Sequence, residues 1–234
     1  MRIIPHTKGE LAHVYNRGTD KRRIFDDKFD LRRFLICIIL FNQVKPVGAV
    51  RNVLKKSPSN LQTLDVCKLE EIKNQYVMSD PLVSVKAFAA LPNHFHFLIE
   101  PEEDGGVSEF MKRLGGGYTK FFNERHKRSG VLFQGKYKSA LIRNDARIAE
   151  LSAYINLNFK IHKSLGKDHP LVFTTMDEYK HFNKGKTKMI FSDPSLVMDN
   201  FANFQNYKSF AQDAVKSIRM ERGLDKNGDL DLME

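Results

Sequence analysis

The stretch Leu91-Pro92-Asn93-His94-Phe95-His96-Phe97-Leu98-Ile99-Glu100-Pro101 constrains the fold more than any other part of the chain. A Pro-Asn pair opens it, a proline closes it, and the aromatic and β-branched residues between them predict a strand. Side chains two apart on a strand share a face. His94 and His96 therefore lie on one side, and Phe95, Phe97 and Ile99 on the other. At that spacing two imidazoles can reach one cation, since neutral imidazole is a common metal ligand. The same residues equally describe two histidines on a half-exposed strand with no metal, and the pattern alone leaves both readings open.

The surroundings place this strand in a sheet. Val83 to Ala89 alternates in the manner of a strand, and only Leu91 to Asn93 separates it from the histidines, which predicts an antiparallel hairpin. His13-Val14-Tyr15-Asn16-Arg17-Gly18 predicts a short strand ending at a glycine turn. Asp26 or Asp27 can cap a following helix that buries Phe29, Leu31, Phe34, Leu35, Ile38 and Ile39. From about Gln43 to Asp80 the pattern weakens to an extended connection or insertion, with a short amphipathic helix around Leu69 to Tyr76. Ser108 begins a helix carrying Phe110, Met111, Leu114, Tyr118, Phe121 and Phe122. Gly115 to Gly117 interrupt that helix, either as a break or as a place of close backbone approach. An extended piece, Val131 to Ile142, precedes a second strong helix running from Asn144 or Asp145 to about Lys163. Ile148, Leu151, Ile155 and Phe159 form its apolar stripe, with Tyr154 and Asn158 one turn apart on a flank beside Arg147.

Past Pro170 the sequence predicts a small helical appendage, with helices around Leu196 to Phe204 and Tyr207 to Arg222. Asp225 to Asp231 superficially resembles a calcium loop but lacks glycine at the sixth position, so it reads as a polar tail.

Charge narrows the partners. The 38 Lys and Arg exceed the 28 Asp and Glu, giving +10 and a pI near 9.5, which suits a polyanion. Within residues 111–147 stand Lys112, Arg113, Lys120, Arg125, Lys127, Arg128, Lys136, Lys138, Arg143 and Arg147, against Glu124 and Asp145. Tyr118, Phe121, Phe122, Phe133 and Tyr137 are interleaved. Cations for phosphates and rings for bases are the ingredients of single-strand binding. The two cysteines, Cys37 and Cys67, form no disulfide framework, and no apolar run approaches a membrane span. A cytoplasmic, soluble protein of bacterial type is expected, associated with the nucleoid when bound to DNA.

Taken together, His94-Phe95-His96 after Leu91-Pro92-Asn93, and Tyr154-Ile155-Asn156-Leu157-Asn158 on a helix, resemble the single-tyrosine HUH transposases, nearest the REP-associated tyrosine transposase-like group within the IS200-like transposases. His13 to Gly18, Ile24 to Asp27, Tyr118 to His126 and Gly130 to Ser139 match in order, and the likeness spans about residues 8–165. Phe159 and Phe133 depart from the proline and tryptophan common in relatives.

The resemblance implies an α+β fold: a ferredoxin-like antiparallel sheet with helices on one face, as a nuclease domain over 8–168, and a C-terminal helical extension with a tail over 169–234. It implies His94, His96 and Asn158 as ligands of Mg²⁺ or Mn²⁺, and Tyr154 as the nucleophile, with Tyr118 as a rival. The activity implied is cleavage and transfer of single-stranded or hairpin DNA through a 5′-phosphotyrosine. Nucleic-acid contacts fall to Arg17, Lys112, Arg113, Tyr118, Lys120, Arg125, Lys136, Lys138, Arg143 and Arg147. Monomer and homodimer both stay open. Two other readings are an inactive, domesticated DNA-binding regulator of the same fold, and an unrelated His-x-His metallohydrolase, which would leave the basic stripe without a purpose.

Overall fold

The computed structural model describes residues 6–48, 50, 52, 53, 66–161, 169–182 and 189–221. Helix α1 (Lys28–Phe41) starts at a capping aspartate: Asp27 Oδ1 accepts from the N–H groups of Phe29 and Asp30, at 2.9 and 3.1 Å. Strand β1 (Ala12–Arg17) precedes it. Helix α2 (Val66–Tyr76), strands β2 (Val83–Leu91) and β3 (His94–Pro101), helix α3 (Gly106–Arg125) and strand β4 (Lys138–Leu141) follow. The strand order is β4-β1-β3-β2-β5, every neighbouring pair antiparallel, where β5 (Phe173–Thr174) adds to the far edge. A βαββαβ chain path with central order 4-1-3-2 is the ferredoxin-like arrangement. The expected α+β class holds.

The alternation along β3 divides the molecule. Phe95, Phe97 and Ile99 join Val14 of β1 and Phe88 of β2 against α1 and α3, where Phe34, Phe110, Leu114 and Tyr118 complete one apolar core. The Phe88 and Phe97 rings stack with centroids 4.5 Å apart. The opposite face presents Ala87, Ala89, Leu91 and Leu98 to a second core. That core is closed by helices α4 (Asp145–Asn156), α5 (Asn158–Ile161), α6 (Met176–His181), α7 (Ser195–Met198) and α8 (Phe204–Glu221). A bulge between Val85 and Ala87 lets β2 serve both cores. At the bulge Lys86 is buried and paired with Glu100 and Asp193, at 3.1 and 3.3 Å.

Several expectations change. The three glycines do not interrupt α3, which runs unbroken, and it starts at Gly106 rather than Ser108. Only Gly117 has a packing reason: a Cβ there would meet the Phe41 ring at 2.5 Å, whereas at Gly115 and Gly116 it would meet nothing within 4 Å. Phe29 is 42% exposed rather than core, and lies beneath the Arg125 guanidinium, 4.9 Å from its ring centroid. The helical segment past Pro170 packs directly onto the sheet. β5 pairs with β2, Tyr179 donates to the Lys86 carbonyl at 2.8 Å, and Tyr207 is fully buried.

The expected single helix reaching Lys163 is also broken. Leu157 leaves helical geometry at φ −113° and ψ 17°, and α5 begins afresh at Asn158. The residue before the break, Asn156, is buried; it donates to the Tyr207 hydroxyl at 3.0 Å and accepts from Thr175 Oγ1 at 2.8 Å. The C-terminal helices therefore pin the end of the tyrosine helix. Lys163, the Asp225–Asp231 tail and, within the 43–80 connection, residues 49, 51 and 54–65 lie outside the described residues.

Candidate active site

The face of the sheet opposite α1 and α3 carries the polar cluster. Strand pairing sets Tyr15 across from His96 and Arg17 across from His94 on one side of β3, with Ala89 and Leu91 across from the same histidines on the other. His94 and His96 are buried, at 6% and 2% exposure, and their ring centroids lie 5.2 Å apart. Tyr154, half-buried on α4, meets the His96 ring edge-on at 5.5 Å. Asn158 is fully buried, and its Oδ1 stands 3.0 Å from His94 Nε2. The break at Leu157 means that Tyr154 and Asn158 arrive from two short helices rather than from one. The cluster still forms.

His94 has a specific tautomer problem. The Asn93 amide donates through Nδ2 to the Lys21 carbonyl, so its Oδ1 faces His94 Nδ1, at 2.6 Å. A neutral imidazole that gives its one proton to Asn93 presents a lone pair at Nε2. The atom it faces, Asn158 Oδ1, is also an acceptor. Two acceptors 3.0 Å apart repel unless the amide turns or a cation lies against both. Asn158 Nδ2 is buried without a hydrogen-bond partner, so no other donor contact dictates which way that amide points. His94 Nε2 and Asn158 Oδ1, 3.0 Å apart, are donor atoms of the kinds a divalent cation takes, and the His96 ring lies 5.2 Å from that of His94.

Two residues in the cluster were assigned no role from the sequence. His13 Nε2 lies 3.0 Å from His96 Nδ1, and the two rings stack at 5.2 Å. Tyr15 stacks on His96 from the same strand, at 5.7 Å. Burial pushes the His13 imidazole down to about 4, so it is neutral near pH 7. Burial, and secondarily the neighbouring Tyr154, raises the Tyr15 phenol. The available signal was the alternation His13-x-Tyr15-x-Arg17, which puts three polar side chains on one strand face.

The expected nucleic-acid residues separate into two groups. Arg17 and Lys138 share a small cleft with Tyr15, Asn16 and Gln134 at the sheet edge, and Arg143 and Arg147 are exposed around the start of α4. Lys112, Lys120 and Lys136 are exposed on the other side of the sheet, around α3. Three residues do not fit their expected role. Tyr118 is fully buried and its hydroxyl donates to the Ile24 carbonyl at 2.5 Å, so it cannot stack on a base. Burial, then the nearby Asp30, holds its phenol well above the usual range. Arg113 is tied to Glu109 and to the Gln43 and Val44 carbonyls, and Arg125 to Asp27 and Asp30.

A second cluster of metal-ligand type is formed by Asp26, Asp30 and His126, whose ligand atoms lie within 4.8 Å of one another. Arg125 donates to Asp30 Oδ1 at 2.6 Å and the Asp26 N–H to Asp30 Oδ2 at 2.9 Å, which already compensates the buried carboxylate.

Residues 54–158, a span holding both histidines, Tyr154 and Asn158, match the family described as Transposase IS200 like. Among solved structures, that of the REP-associated tyrosine transposase bound to a REP hairpin is similar at 14% identity and a TM-score of 0.43, covering 82% of this chain and 93% of that one. No curated protein matches the chain in sequence. No helix among the described residues is long and apolar enough to cross a membrane.

Proposed function

We propose that this chain is an IS200-like transposase, which cuts and rejoins single-stranded DNA with Tyr154 as the nucleophile. The observation that carries the reading is the convergence of Tyr154, His96, His94 and Asn158 on one buried patch, the Tyr154 ring 5.5 Å from His96 and Asn158 Oδ1 3.0 Å from His94 Nε2. His94, His96 and Asn158 would hold a divalent cation, Mg²⁺ or Mn²⁺. When bound, it would supply Lewis-acid stabilisation of the charge that develops on the scissile phosphate. Two imidazoles favour Mn²⁺ over the harder Mg²⁺.

The protein's own part is attack and storage. The Tyr154 oxygen loses its proton and bonds to phosphorus, the bond to the 3′ oxygen breaks, and that oxygen leaves as a 3′-hydroxyl. The 5′-phosphotyrosine keeps the phosphodiester energy, so a later 3′-hydroxyl can reverse the step and join strands. His13 and Tyr15 hold the His96 ring in position, in the way outer-shell groups orient metal-binding histidines. Arg17, Lys138, Arg143 and Arg147 line the approach for a polyanionic strand. In the cell this chemistry serves DNA transposition or the processing of repeated hairpin elements, in the cytoplasm.

The test is incubation of the protein with Mn²⁺ and end-labelled single-stranded and hairpin DNA, resolved on a denaturing gel. The expected result is a covalent protein–DNA adduct that Tyr154→Phe removes. A salt-sensitive complex with no adduct under any of these conditions would instead assign the domain to DNA binding alone.

A further inference from the structure

Asn158 stands on α5, a helix of four residues set off from the tyrosine helix by the break at Leu157. Isolated helices need about 12–15 residues to be even marginally stable in water, so α5 cannot hold its own geometry. The position of Asn158 relative to Tyr154 must be set from outside these two helices. Asn156, midway between the two in sequence and fully buried, is where the hold is applied.

A run of buried hydrogen bonds passes through Asn156. The Phe88 N–H of β2 donates to Thr175 Oγ1 at 3.0 Å, and Thr175 Oγ1 donates to Asn156 Oδ1 at 2.8 Å. Asn156 Nδ2 in turn donates to the Tyr207 hydroxyl of α8 at 3.0 Å. Ser152 Oγ donates to the Ala149 carbonyl at 2.8 Å, which leaves the Tyr207 proton for Ser152 Oγ, 3.1 Å away. Burial pushes the Tyr207 phenol up to about 12, so it keeps that proton near pH 7. Ser152, Asn156, Thr175 and Tyr207 are all fully buried, and each has its partners. A satisfied buried network fixes geometry, because displacement leaves a polar group unpaired.

Beyond the break, Arg219 of α8 donates to the Lys160 carbonyl at 2.7 Å. Helix α8 therefore grips the chain on both sides of Leu157. At its other end the network reaches Phe88, whose neighbour Ala89 pairs with His96. The broken helix is thus referenced to the sheet that carries the histidines. Packing alone does not require the hydroxyl: a phenylalanine at 207 would keep the ring contact with Tyr179, at 4.8 Å. What the polar atoms add to that packing is direction.

We propose that Tyr207 and Thr175 are positioning residues for strand cleavage: through Asn156 they fix the chain at the Leu157 break, and so bring Tyr154 and Asn158 together to the histidines of β3. This rests on the reading of Tyr154 as the nucleophile.

The experiment uses the full chain. Single-turnover adduct formation on end-labelled hairpin DNA with Mn²⁺ gives the rate, and fluorescence anisotropy without metal gives the DNA affinity. All rates are taken well below the lowest melting temperature. Tyr207→Phe and Thr175→Val keep size and lose a hydroxyl; each should slow the adduct about 10–100-fold, the effect of a misplacement of about 1 Å. DNA affinity should stay within about twofold, since the loss falls on the chemical step. Thr175→Ser, which keeps the hydroxyl, should restore the rate to within about threefold. Val215→Ala, a buried apolar truncation on the same helix, should lower the melting temperature and leave the rate unchanged. A proton–carbon correlation spectrum of tyrosine-labelled, DNA-free protein reads position without chemistry. The Tyr154 signal, assigned through Tyr154→Phe, should move in Tyr207→Phe and Thr175→Val, and hold in Thr175→Ser and Val215→Ala.

Rates for Tyr207→Phe and Thr175→Val within about twofold of the parent overturn the assignment. So does an equal loss in Val215→Ala, or a Thr175→Ser rate as low as that of Thr175→Val. If the unsubstituted protein forms no adduct while the Tyr154 signal responds as stated, the proposed chemistry fails and the positioning stands. A Tyr154 signal that moves in none of the variants removes the positioning, whatever the adduct does.

Discussion

Residues 94 and 96 of β3 face a site built of rings and amides at hydrogen-bonding distances, while residues 95, 97 and 99 of the same strand face a core of phenylalanines. The two faces share one backbone, yet they place different demands on their side chains. The aromatic face needs volume and shape, and its stability comes from burial, which is non-directional. The histidine face needs particular atoms at particular separations. Each of its buried polar groups depends on a partner, and the arrangement is only as good as the residues that orient it. The two faces should therefore fail differently under substitution.

The largest contrast is between two tyrosines, one for each face. Tyr154→Phe should abolish covalent adduct formation on a denaturing gel and leave the melting temperature nearly unchanged, because the half-buried Tyr154 keeps its ring contacts. Tyr118→Phe should leave the adduct intact. It should lower stability by about 1–3 kcal/mol in urea titration, since the Ile24 carbonyl loses its buried donor. An adduct that survives Tyr154→Phe and is lost in Tyr118→Phe would reverse the assignment of the two faces.

Next in size is Phe97→Ala. Phe97 is fully buried, stacked on Phe88 and edge-on to Phe110 at 5.7 Å. Its truncation should cost about 3–5 kcal/mol, as large-to-small core changes do. The adduct yield of whatever protein remains folded should be normal. A folded Phe97→Ala protein without activity would show that packing on one face sets geometry on the other.

The third prediction separates orientation from chemistry on the histidine face. His13→Ala removes the partner of His96 Nδ1. It should weaken Mn²⁺ binding, followed by calorimetry of the DNA-free protein, by about 10–100-fold. His13→Gln, whose amide oxygen can accept from His96 Nδ1, should recover part of that loss. Equal metal affinity in wild type, His13→Ala and His13→Gln would reduce His13 to a packing residue.

Much of this was legible in the sequence, for reasons that the two faces make plain. Strand alternation is local, so the separation of His94 and His96 from Phe95 and Phe97 could be read directly, as could the hairpin and a helix cap at Asp26 or Asp27. The break at Leu157 could not. It is tied to Asn156 reaching Tyr207 and Thr175, contacts distant in sequence that no periodicity reports. His13 stayed without a role because its partner lies 83 residues away, and only the β1–β3 register brings the two together. The cations of α3 read as a uniform binding stripe, although Arg113 and Arg125 are held by carboxylates and carbonyls of other elements. Charge can be counted along a chain, but its partners cannot.

The smallest effect tests the aromatic side at its thinnest point. Gly115 and Gly117 lie on one helix, and alanine at either should gain about 1 kcal/mol of helix propensity. At Gly115 the new methyl enters open space, so the gain should appear in full as a higher urea midpoint. At Gly117 the methyl would lie 2.5 Å from the Phe41 ring. That ring packs against the α1/α3 core, so relieving the contact requires moving an aromatic side chain or separating α1 from α3. Overpacking of this kind typically costs about 1–3 kcal/mol, which outweighs the propensity. Gly117→Ala should therefore lower the midpoint while Gly115→Ala raises it. If both rise equally, the α1–α3 contact is loose enough to absorb a methyl, and the aromatic face is less tightly specified than its ring packing indicates.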